Sequence, residues 1–66
     1  MIKEAITKLT KHENLSFDAA ECVMDEIMSG KVSDIEISSY LTALSMKGET
    51  IDEISGSAAG MRKHAV

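Results

Sequence analysis

Across 66 residues there is one cysteine, there are two histidines, and there is no proline or tryptophan. With Cys22 as the sole thiol, no internal disulfide can form, and His12 and His64 stand apart from any second ligand at zinc-binding spacing. Aromatic residues are only 3% of the chain, so Ile, Leu, Met and Ala have to fill whatever core forms. No apolar run approaches the length needed to span a bilayer, which excludes a membrane-spanning role. The opening Met1-Ile2-Lys3-Glu4 is not a signal peptide. A lone thiol without an export signal predicts a cytoplasmic protein. Positive charge is scarce as well: 7 Lys and Arg face 11 Asp and Glu, for a net charge of −4. Nucleic-acid binding needs a basic patch that displaces counterions, and these lysines are scattered among carboxylates, so nucleic acid is excluded as a partner.

What is present points to a small helical globule. Hydrophobic residues make up 44%, too many for a disordered chain. The length allows one domain over residues 1–66. A domain of this size buries only about 60% of its unfolded surface. With no disulfide and no metal cluster to support it, the expected support is a partner.

Periodicity and punctuation divide the chain into about four short helices, an all-α, compact bundle. Ile2, Ala5, Ile6 and Leu9 recur at helical spacing over residues 2–11. Residues 12–15 connect to a second helix, capped by Ser16 with Asp18 in its first turn. That helix carries Ala20, Val23, Met24, Ile27 and Met28 on one stripe, and Gly30 is placed to end it in a left-handed conformation. Ser33-Asp34-Ile35-Glu36 reads as a capping box for a third helix, stopped by Gly48. Thr50-Ile51-Asp52-Glu53 is a second box. The fourth helix that follows places Ile51, Ile54, Ala58, Met61 and Ala65 on one face and has no stop signal, as a cut through or just after a helix would leave it.

Two features ask for a partner. The third helix carries a main stripe of Ile37, Tyr40, Leu41 and Leu44, yet Ile35, Ala43 and Met46 fall on roughly the opposite side. Gly56 and Gly60 stack one turn apart on the fourth helix, where each costs about 1 kcal/mol relative to Ala, so either another backbone approaches there or the helix is loose and solvated. The candidate interface is therefore Ile2, Ile6 and Leu9 of the first helix, Ile35, Ala43 and Met46 of the third, and Gly56 and Gly60 of the fourth.

Groups that could carry chemistry have bland readings. His12 and His64 lack a partnered nucleophile and read as solvated surface residues. Cys22, between Glu21 and Val23, reads as a half-buried thiol whose neighbours discourage ionisation. Asp18, Glu21, Asp25 and Glu26 are spread around a helix without a calcium-loop pattern and read as a solvated acidic face. Gly48 is followed by Glu49, which puts negative charge where a phosphate would sit. Helix capping accounts for that segment except for Lys47 and Glu49, which are expected to be exposed. No catalytic, cofactor-binding or metal-binding residue is assigned.

The run Leu41-Thr42-Ala43-Leu44-Ser45-Met46-Lys47-Gly48-Glu49-Thr50-Ile51-Asp52-Glu53-Ile54, with Glu26-Ile27-Met28-Ser29-Gly30 before it and Met61-Arg62 after it, resembles the N-terminal helical domain of the anthranilate phosphoribosyltransferase family. The resemblance covers essentially the whole chain. The family often carries Arg at the position of Ser45, and related pyrimidine nucleoside phosphorylases share a similar helical domain. The resemblance implies an enzyme that transfers phosphoribosyl from phosphoribosyl pyrophosphate to anthranilate in tryptophan biosynthesis, with magnesium. It implies a large α/β domain, absent from this chain, that holds the chemistry. It also implies a homodimer to which the helical domain contributes interface and one wall of the cleft between domains, so the isolated fragment is expected to be inactive and to need no cofactor. A free-standing helical adaptor uses the same features differently. A carrier of acyl-carrier type would need an Asp-Ser-Leu attachment site, which the sequence lacks.

Overall fold

The computed structural model describes residues 1–65 as four α-helices: α1 (Ile2–Thr10), α2 (Phe17–Met28), α3 (Asp34–Lys47) and α4 (Ile51–Arg62). No strand occurs among the described residues. The caps form where the sequence places them. Ser16 accepts from the Ala19 N–H. Ser33 with Glu36, and Thr50 with Glu53, make complete capping boxes that satisfy N–H groups otherwise left orphaned at a helix start. The start of α1 has no cap of its own; Glu26 of α2 accepts from the Ile2 N–H at 3.1 Å and pairs with the terminal ammonium at 3.3 Å. Gly30 (φ 73°) and Gly48 (φ 93°) take the left-handed conformations that stop α2 and α3. His12 does the same after α1 at φ 62°.

Helix α4 does not run on as its sequence suggests. It stops at Arg62, where the tighter i→i−3 bonds from His64 to Met61 and from Ala65 to Arg62 take over. His64 then reaches α2 and meets Asp25 at 2.6 Å, which draws the chain off the helix axis. Ala65 thus lies outside the helix, and Val66 lies outside the described residues.

Packing joins the helices in two pairs, α1 with α3 and α2 with α4, while α1 and α2 touch only briefly. In the second pair the contacts advance one turn at a time along both helices: Gly56 against Phe17 and Ala20, Gly60 against Glu21 and Met24, His64 against Asp25. The two helices therefore run parallel. A Cβ on Gly60 would lie 2.8 Å from the Glu21 carbonyl oxygen and 2.7 Å from the Met24 Cβ, and one on Gly56 would collide with the Phe17 carbonyl. The glycines thus serve close backbone approach, and the approaching backbone is this chain's own α2. The shortest dimension, 16 Å, fits two helix layers about 8–10 Å apart.

The core is Ile2, Ala5 and Leu9 of α1, Leu15 of the connector, Val23 of α2, and Tyr40 and Leu44 of α3. Helix α4 adds none of its apolar stripe to it. Ile51, Ile54 and Met61 are exposed, and α4 buries Glu53, Gly56 and Gly60 instead. This reverses the face expected from periodicity. Against a helix that approaches to backbone distance, small residues go inward and bulky ones are turned out.

Candidate functional site

Helices α1 and α3 leave a groove of about 570 Å³ between them. Ile6, Leu9 and Ala43 line its apolar floor, Ser38, Ser39 and Thr42 add hydroxyls, and His12, Met46 and Lys47 stand at one end. The wall is shallow because α3 has small residues at positions 38, 39, 42 and 43, and α1 is only nine residues long.

The candidate interface residues separate into four groups. Ile6, Ala43 and Met46 come together in the groove. Ile35 is exposed near the start of α3, away from that lining. Ile2 and Leu9 are core residues at 3% and 1% exposure, because α1 turns that face onto α3 and α2. Gly56 and Gly60 are covered by α2. Of the candidate residues, those left open to a partner are therefore the groove lining with Met46, and Ile35; the outer stripe of α4 is open as well, and Phe17, Met28 and Leu41 are exposed elsewhere. Ile35, Met46 and Ile51 are exposed at 79%, 81% and 82%, the most of any large apolar residues described.

Beside the groove is a polar node that sequence reading missed. Lys47 is not exposed: its side chain is 4% accessible and Glu53 is fully covered. The Lys47 ammonium donates to Glu53 Oε1 at 2.8 Å, to Asn14 Oδ1 at 3.0 Å and to the Gly48 carbonyl at 2.7 Å, which uses all three of its N–H groups. Glu53 also accepts from Thr50 N–H at 2.8 Å through Oε1 and from Leu15 N–H at 2.7 Å through Oε2. Burial pushes the Glu53 carboxyl up, but the hydrogen bonds from Lys47, Leu15 and Thr50 outweigh it and hold the group below the ordinary glutamate range. The node joins the end of α3, the start of α4 and the connector before α2. The capping box was the available signal, since a Glu at the third helical position with a Lys just before the turn puts both charges at one helix junction. Asn14 carried no signal.

Two other ionisable groups differ from expectation. Cys22 is exposed, because α2 turns Val23 inward and its neighbour outward. His64 is not free in solvent but bound to Asp25, and the hydrogen bond from His64 holds the Asp25 carboxyl below its usual value. Lys63 adds a 3.7 Å pair with Glu21. Burial pushes the Tyr40 phenol up, and its hydroxyl has no hydrogen-bond partner among the described residues. No group of three or more His, Cys, Asp or Glu side chains is placed to hold a metal ion among the described residues. No described helix is long and apolar enough to cross a membrane.

Residues 3–65 match the helical bundle domain of the glycosyl transferase family. Over all 66 residues the chain is 70% identical to an anthranilate phosphoribosyltransferase of Lachnoclostridium phytofermentans, covering 20% of that protein. It is 56% identical to those of Lacticaseibacillus paracasei and Methanobrevibacter smithii, again over the whole chain and over 19% and 20% of theirs. The chain spans about a fifth of the length of the curated relatives it matches.

Proposed function

Since the chain belongs to the helical bundle domain of the glycosyl transferase family, we propose that it is the N-terminal helical domain of an anthranilate phosphoribosyltransferase and acts through two docking faces. The parent activity, transfer of phosphoribosyl from phosphoribosyl pyrophosphate to anthranilate, belongs to the remainder of the protein. That remainder is the α/β domain, where magnesium enters.

The observation that carries this reading is that the four most exposed large apolar side chains fall on two helices, Ile35 and Met46 on α3 and Ile51 and Ile54 on α4. The α1–α3 groove with Met46 at its end, and Ile35 farther toward the start of α3, suit a second copy of the chain. The outer stripe of α4, Ile51, Ile54 and Met61, suits the remaining four-fifths of the longer protein and one wall of its cleft. Burying side chains of this size contributes roughly 1.5–3 kcal/mol each, enough to matter to a domain this small.

Sedimentation of the 66-residue chain over a concentration series is expected to show a dimer, and Met46→Asp should shift it toward monomer without loss of helix content. A monomer at high concentration would overturn the groove assignment. Mixing the fragment with anthranilate and phosphoribosyl pyrophosphate should leave anthranilate fluorescence unchanged; turnover above background would overturn the assignment of the chemistry to the absent domain.

A further inference from the structure

We propose that the Lys47–Glu53 node is a latch that fixes the angle between the two helix pairs, and hence between the groove on one and the outer stripe of α4 on the other. The pairs have little backbone contact with each other. Helix α1 packs along α3 and α2 along α4, while α1 and α2 touch only briefly. Within the second pair, Gly56 and Gly60 hold the backbones so close that the pair behaves as one body. The pairs also share an apolar core, in which Val23 of α2 clusters with residues of α1 and α3, but such contacts are not directional, so the directional ties between the two bodies lie at the junctions.

At one end of the molecule the Lys47 ammonium, on the last residue of α3, donates to the Gly48 carbonyl, to Asn14 Oδ1 of the connector and to the Glu53 carboxylate of α4 at 2.7–3.0 Å. The second Glu53 oxygen takes the Leu15 N–H, two residues before α2 begins. The start of α2 and the start of α4 are thus both tied to the end of α3. At the other end, Glu26 of α2 holds the start of α1. Lys47 also lines the groove, so one residue belongs to the docking surface and to the tie behind it.

Stability alone does not account for such a pair. Replacing a buried ion pair by apolar side chains of similar size is often neutral or stabilising, whereas directional hydrogen bonds fix geometry in a way that apolar contacts do not. A defined angle is the property that the node supplies and a greasy substitute lacks.

The test uses the native exposed Cys22 on α2 and a second label at Ser45→Cys on α3, with the spin-label distance read by pulsed electron resonance. The parent should give one narrow distribution. Lys47→Met/Glu53→Leu, which removes both charges, should keep the helix content and broaden the distribution about twofold, as two bodies released at a hinge would. Amide exchange within the α2–α4 contact, at Ala20 and Gly60, should stay at the parent rate. A distribution as narrow as the parent's overturns the latch, and so does a uniform acceleration of exchange, which marks general loosening. Should the double variant fail to fold, Asn14→Ala decides: it removes one of the three Lys47 anchors, and an unchanged distribution there overturns the proposal as well.

Discussion

Lys47 and Glu53 show what one residue can decide in a domain with so little core. Lys47→Met leaves Glu53 buried without a counter-charge and should cost about 3–5 kcal/mol, read from urea unfolding, while Lys47→Met/Glu53→Leu should recover most of that loss. The same carboxyl sets a pH dependence. Its value in the folded chain lies below that in the unfolded chain, so its contribution is complete above the ordinary glutamate range and is lost as pH falls through the folded value. Unfolding curves taken at successively lower pH should therefore show stability declining on the acid side, and Glu53→Gln should flatten that decline. At this scale the sequence was only partly readable. Glu53 was visible as a cap, because capping is local and has a fixed spacing. Its burial with Lys47 was not, since burial depends on where the connector at Asn14 and Leu15 comes to rest, and no spacing within α3 or α4 encodes that. Cys22 and His64 were misjudged for the same reason: their surroundings are set by helix rotation and by a contact between residues distant in the chain.

At the scale of the elements, the helices and their caps followed from local chemistry. Ser16, Ser33 and Thr50 start helices where a side-chain oxygen is needed, and Gly30 and Gly48 stop them where φ turns positive. The choice of faces did not follow for α4. An apolar stripe is a guide to the buried face only when helices pack through bulky side chains, and α2 and α4 pack through glycine and carbonyl oxygen. Gly60→Ala tests this. In a solvated helix it should stabilise by about 1 kcal/mol through propensity. Against α2, the added methyl meets the Glu21 carbonyl and the Met24 Cβ, and the net effect should be a loss of about 1–3 kcal/mol in thermal or urea unfolding.

For the molecule as a whole, the accessible surface of 4137 Å² is close to the roughly 4,100 Å² expected of a folded monomer of this mass. Size of surface is therefore ordinary, and its composition is less so: Ile35, Met46 and Ile51 are about four-fifths exposed. Ile51→Glu should accordingly change the stability of the 66-residue chain by no more than about 0.5 kcal/mol. In a full-length relative carrying the same change at the matching position, the thermal midpoint should fall, which differential scanning calorimetry of the two proteins would separate.

The parallel contact of α2 with α4 has a mechanical consequence. Its teeth are Gly56 and Gly60, one helical turn apart, with His64 closing the row against Asp25. A slip by one turn in either direction would bring Asp52 or His64 to a place where only a hydrogen atom fits. The pair is thus a keyed joint with a single setting: it can be pulled apart, but it cannot creep. A displacement of α4 along its axis therefore has to carry α2 with it.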